Sequence, residues 1–200
     1  MSESTPRPHV ANIDFPVFYA SAFGNDEGRA REFYESLKDR TAKIVLHQAA
    51  RMLWLGDAVD KVSRGRPALQ ILFFMIAAEA VAKLANAYEG ESDSRKYAKQ
   101  FFLTICSEDH RRLLGKAFRD PTGSSGGLSP AEAVDFLYDV RCDVVHRGQY
   151  FMLHLPRPEL EEEDMLISWK GKSLIATITA AQLRQIVLEG AVRAAKELSA

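Results

Sequence analysis

Apolar positions recur at helical spacing through most of this chain. From Tyr34 they continue at Leu37, Ile44, Val45, Met52, Leu55, Val59 and Val62, the three-and-four rhythm that lines one face of an α-helix. Asn25 and Asp26 offer N-caps for a helix beginning near Glu27, long enough that a kink or break near Gly56 is expected. Ser63 to Arg66 reads as a turn, and Pro67 suits the first position of the next helix, where its missing N–H is no loss. That helix, 67–88, is apolar almost all round, which marks a central, buried element. Glu79 lies in its alanine-rich middle, where a carboxylate is costly unless something pairs with it. Gly90 to Asp93 closes it.

Two shorter helices are expected over 95–106 and 108–118, then a glycine- and serine-rich loop, Asp120 to Gly127. Ser129-Pro130-Ala131-Glu132 combines a serine cap, proline at the first helical position and glutamate at the third, and starts a helix running to Arg147 and stopping at Gly148. Met165 to Trp169 and Ser173 to Ile178 flank Lys170-Gly171-Lys172 as a β-hairpin. Thr179 and Gln182 cap a last amphipathic helix through Leu183, Ile186, Val187, Gly190, Ala191 and Ala194. The expected fold is therefore mostly α: a helical bundle with a small C-terminal β-hairpin, about 164–178, and a final helix. Residues 1–24 form a partly disordered N-terminal arm, and 25–200 a single domain.

Composition adds class rather than architecture. Hydrophobic residues make up 46% of the 200 and charged ones 26%, ordinary proportions for a chain able to bury a real core. Cys106 and Cys142 fit no disulfide framework and read as thiols in a reducing compartment. The polar, proline-bearing start lacks a signal peptide's apolar centre, and the longest apolar run, Ile71 to Ala78, is too short to span a bilayer. A cytoplasmic protein with no membrane partner is the expectation. The net charge of −1 excludes a generally cationic nucleic-acid binder, but charge is uneven. Arg111, Arg112 and Lys116 belong to a basic stretch between Arg95 and Arg119, and Glu159 to Asp164 is nearly all acid. The basic stretch is either a solvated helix face or an RNA-contacting stripe.

The sharpest chemistry sits at the end of the capped helix, in Leu137-Tyr138-Asp139-Val140-Arg141-Cys142-Asp143-Val144-Val145-His146-Arg147-Gly148. An Arg followed by His five residues later, an aromatic before the Arg, apolar residues before the His and a Gly soon after resemble the signature of the HEPN superfamily. The 67–88 helix, with Glu79 in an alanine-rich run, resembles that family's other long core helix. Together they cover roughly Glu27 to Gly148. The resemblance implies a helical bundle working as a homodimer, with RNA as target and a cognate antitoxin as a candidate partner. Many members are endoribonucleases that need no metal or other cofactor. On that pattern Arg141 holds and neutralises the phosphate, a task suited to a permanently charged planar fork. His146 is the general acid/base for attack of a ribose 2′-OH, since an imidazole titrates near neutral pH. Tyr138, Cys142, Asp143 and Glu79 are supporting residues, Glu79 as the group orienting Arg141; Arg147 joins Arg111, Arg112 and Lys116 as a candidate RNA contact. Cys142 stands where many catalytic members carry an amide-type residue.

Residues five apart on a straight helix point about 140° from each other. Arg141 and His146 can therefore share a site only where the helix bends or at a groove shared with a second subunit. The alternative is a non-catalytic dimeric module in which Arg141 and Glu79 form a structural ion pair. Asp139, Cys142, Asp143 and His146 fall on one helical face but do not by spacing alone complete a metal site, and Gly123 to Gly127 matches G-x-S-x-G only as a string, without the strand a nucleophile elbow needs.

Overall fold

Helix α4 (Pro67–Ala85) takes the central place its composition predicts. In the computed structural model, which describes residues 13–62, 66–88, 90, 92–123, 126–150, 153–157 and 165–200, Ala77, Ala78, Val81 and Ala82 of α4 have no exposed surface. Helices α3 (Arg40–Val62), α7 (Pro130–Arg147) and α8 (Ala180–Leu198) pack around it, with α5 (Ser94–Gln100) closing its C-terminal side. Alanines let these backbones approach closely; the larger Phe74, Phe101, Phe102 and Leu53 fill the space between layers. By length and apolarity α4 is the one helix among the described residues that could cross a membrane, and it lies at the centre of the bundle.

The long N-terminal helical pattern is divided, but not where glycine suggested. Helix α2 (Glu27–Ser36) is capped by Asp26, and the chain turns at Leu37, which is extended and 3% exposed. The Asp39 carboxylate accepts from the Thr41 and Ala42 backbone N–H groups at the start of α3. Helix α3 then passes unbroken through Gly56, because the ring of Phe74 lies where a side chain would be: a Cβ there would meet Phe74 Cε1 at 2.7 Å. This glycine permits close packing, not a kink.

The arm expected over 1–24 is part of the fold from Ile13 onward. Helix α1 (Phe15–Tyr19) and a 3-10 turn (Ala20–Phe23) bury Tyr19, whose hydroxyl donates to the Leu46 carbonyl at 2.7 Å. Residues 1–12 lie outside the described ones, as do Ser63 to Gly65, Ser124 and Ser125, and the acidic stretch 159–164 with the first residue of the expected hairpin region.

The 95–106 segment forms α5 and then a π-helical turn, Phe101–Ile105. Helix α6 (Glu108–Leu114), capped by Ser107, stops short of 118. Phe118–Arg119 instead forms a strand, β1, which sequence periodicity did not predict. It pairs antiparallel with β3 (Lys172–Ala176), and β3 with β2 (Leu166–Trp169), giving sheet order β1-β3-β2. The hairpin is as expected: Lys170 and Gly171 both have positive φ, 48° and 76°, as a two-residue turn matched to strand twist requires. Both predicted capping boxes, Ser129–Glu132 and Thr179–Gln182, are formed.

Candidate functional site at the end of helix α7

Helix α7 keeps α-helical geometry through Arg147, and Gly148 ends it in the left-handed conformation, φ 64°. The helix therefore has no bend that brings Arg141 and His146 onto one side. Arg141 lies on the stripe that, one and two turns earlier, buries Val134 and Tyr138. His146, like Val145 and Arg147, is exposed. Around the helix axis the two residues diverge by about 140°.

Arg141 does not pair with Glu79. The Glu79 carboxylate is taken by Lys83, one turn along α4 at 2.8 Å, and by the hydroxyl of Ser94 at 2.6 Å. The reason is local: Lys83 is placed by the i,i+4 geometry of α4, and Ser94 is the first residue of α5, packed beside it. Arg141 instead lays its guanidinium over the Tyr138 ring, 5.5 Å from the centroid. It makes no salt bridge among the described residues, and its Nε is buried without a hydrogen-bond partner there. A buried donor left without an acceptor carries a desolvation cost.

Tyr138 has a second guanidinium over it, that of Arg95, at 4.6 Å. This one is fully committed. Arg95 donates from Nη1 to Asp135 at 3.1 Å and from Nη2 to Asp139, while Lys99 holds the other Asp135 oxygen at 2.7 Å. Asp139 also accepts from Trp169 Nε1 at 3.0 Å and faces Lys170 at 3.5 Å. Burial would raise the Asp139 carboxyl, but the bonds from Arg95 and Trp169 outweigh it and hold the group below its ordinary value. These contacts tie α5, α7 and the hairpin together beside Tyr138. Motif reading missed this network, although its signal is present: Arg95 and Lys99 are spaced i,i+4 on α5, and Asp135 and Asp139 are spaced i,i+4 on α7.

The other candidates are spread out. Asp143 and Arg147 pair along α7 at 3.1 Å. Cys142 is half-buried with a free thiol. Arg111 is structural in part: it donates to the carbonyls of Leu103 and Cys106 at the end of the π-helical turn and pairs with Glu108. Arg112 pairs with Asp109 at 2.7 Å. The carbonyl of Lys116 accepts from the Thr177 hydroxyl, which joins this segment to the end of β3. Within the Arg95 to Arg119 stretch, Arg111 and Arg112 thus pair with Glu108 and Asp109, and Arg95 and Lys99 with carboxylates of α7. No group of three or more metal-ligating side chains comes together among the described residues. Asp139, in the sequence-level metal constellation, is occupied by Arg95 and Trp169.

Compared with known protein families, curated proteins and solved structures, the chain matches none.

Proposed function

We propose that this chain is a cytoplasmic HEPN-like protein that targets RNA as a homodimer, cleaving it without metal, in a defence or toxin–antitoxin setting. The observation that carries the reading is the state of Arg141: a guanidinium with no carboxylate partner among the described residues and a buried Nε unpaired there, about one turn and a half before an exposed His146. A phosphate at the terminal nitrogens of the guanidinium would offset its charge. In cleavage His146 takes the proton of a ribose 2′-OH, the freed oxygen attacks the adjacent phosphorus, and the P–O5′ bond breaks. A proton returns to the 5′ oxygen, leaving a cyclic phosphate and a 5′-OH. Arg141 offsets the extra negative charge in the transition state. Because α7 is straight, the two residues serve one phosphate across a groove formed with a second copy, so the dimer is part of the proposal.

With Glu79 engaged by Lys83 and Ser94, the reading as a non-catalytic module loses its structural ion pair and rests on Cys142 and the near-neutral net charge. The test is incubation of purified protein with total and structured RNAs in EDTA beside His146→Ala. Cleavage by the wild type alone, leaving cyclic-phosphate ends, supports the ribonuclease. Full-rate cleavage by the variant overturns the role of His146, and binding of RNA without cleavage by either favours the module.

A further inference from the structure

Two guanidinium groups share the Tyr138 ring, and they are held very differently. Arg95 lies 4.6 Å and Arg141 5.5 Å from its centroid. Arg95 reaches the ring from α5 and is fixed independently of it: its two terminal nitrogens donate to Asp135 and Asp139, one helical turn apart on α7. Both carboxylates are anchored in turn, Asp135 by Lys99 at 2.7 Å and Asp139 by the Trp169 indole at 3.0 Å. A planar fork bridging two fixed acceptors has little freedom to turn. Arg141 has no such anchor. Among the described residues, the Tyr138 ring is the one charged, hydrogen-bonding or aromatic group it engages.

Tyr138 carries no polar tether of its own. Its hydroxyl makes no hydrogen bond among the described residues. Besides the apolar core in which it is buried, only the two guanidinium groups bear on the ring there. Constraint therefore runs one way: the carboxylates hold Arg95, Arg95 bounds the ring, and the ring carries Arg141. A group that must meet a phosphate works best when its orientation is set before the phosphate arrives.

We propose that Arg95 is a positioning residue for Arg141, acting through Tyr138. The proposal rests on the RNA-targeting reading above and deepens it by adding a residue from α5 to the site. Arg95 itself does not hold the phosphate, because each of its terminal nitrogens is already bonded to a carboxylate.

The experiment reads Arg141 directly and needs no RNA. The Nε–H resonance of Arg141, assigned by its disappearance in Arg141→Lys, reports hydrogen exchange at a donor that is buried in the wild type. Arg95→Met keeps the length of the side chain and removes the fork, while Asp135 keeps Lys99 and Asp139 keeps Trp169. Exchange at this N–H should then speed up by about tenfold or more. Lys99→Met takes a cation from the same Asp135 but none from the ring, and should leave the exchange within about twofold of the wild type. Asp135→Asn, which loosens one prong of the fork, should give a smaller acceleration, and it decides the matter if Arg95→Met does not fold. Unchanged exchange in the Arg95 variant, or in Asp135→Asn standing in for it, would overturn the positioning role. So would an equal acceleration in Lys99→Met, which would mean general loosening of α5 from α7. On RNA, affinity should fall in Arg95→Met but fall no further when that change is added to Arg141→Ala; additive losses would make Arg95 an RNA contact in its own right. The two readings fail separately. Faster exchange in a protein that neither binds nor cuts RNA sinks the RNA reading and keeps Arg95 as the residue that sets Arg141. Unchanged exchange with RNA cleavage intact does the reverse.

Discussion

The guanidinium of Arg141 rests on the ring of Tyr138, 5.5 Å from its centroid, with no carboxylate partner among the described residues. Its removal therefore strands no buried charge. Losing one partner of a buried ion pair costs about 3–5 kcal/mol, whereas losing a cation–π contact of this kind costs about 0.5–2 kcal/mol. Arg141→Ala should therefore stay folded, with a urea midpoint only slightly lowered, and on the proposed RNA-targeting function it should lose RNA binding or cleavage steeply. A loss of stability in the higher range would mean that Arg141 serves the fold.

The core offers a sharper test of packing. A Cβ at Gly190 of α8 would sit 2.4 Å from Phe101 Cζ and 3.0 Å from Cys106 Sγ, and both neighbours have no exposed surface. Gly190→Ala gains helix propensity, up to about 1 kcal/mol, but must displace a ring with nowhere to go. Overpacking of this sort typically costs about 1–3 kcal/mol, so the net change should be destabilising. Adding Phe101→Leu should recover part of it in a double-mutant cycle by chemical denaturation.

How far the sequence reveals this molecule depends on whether a signal is local. The capping boxes at Ser129 and Thr179, proline at 67, the hairpin turn at Lys170-Gly171 and the stop at Gly148 are all local devices, and the structure contains each. The failures are tertiary. Gly56 looks like a break until Phe74 is seen filling the space where its side chain would be. Phe118 carries no strand periodicity because β1 has only two residues, Phe118 and Arg119, and its partner lies more than fifty residues away on β3. The Glu79–Arg141 pair was attractive because a buried carboxylate needs a cation, yet Lys83, on the same helix, was nearer. At the candidate site, Arg141 and His146 were legible as residue types. The clamp of Arg95 on Asp135 and Asp139 was not, because it joins α5 to α7 across a separation only the fold closes.

Acid should loosen the join between the start of α7 and the hairpin. Lys172 is 2.8 Å from Glu132 and Ser129 donates to the same carboxylate, which together hold the Glu132 carboxyl down at about 2 against an ordinary 4.5. A depressed folded value means that the unfolded chain binds the proton more readily. The stabilisation is therefore fully present above the ordinary carboxyl value and is lost as pH falls from about 4.5 towards about 2. Stability measured across this window should drop less for Glu132→Gln than for the wild type. Parallel curves for the two proteins would show that the carboxylate contributes nothing there.

Arg95 should prove harder to replace than its partial exposure suggests. Its side chain is 40% exposed, and isolated exposed pairs contribute only about 0–1 kcal/mol. Here one guanidinium spans two carboxylates a helical turn apart and lies over the Tyr138 ring. Arg95→Ala would leave Asp139 with Trp169 and Lys170, and Asp135 with Lys99, so neither carboxylate is orphaned. A loss of about 1–2 kcal/mol is expected from the two pairs and the ring contact together. Lysine is the informative substitution: its ammonium keeps the charge but cannot bridge Asp135 and Asp139 as a fork. Arg95→Lys should therefore recover less than half of the lost stability in urea denaturation. Full recovery would reduce the role of Arg95 to charge alone and leave Tyr138, and the Arg141 stacked on it, positioned by α7 without help from α5.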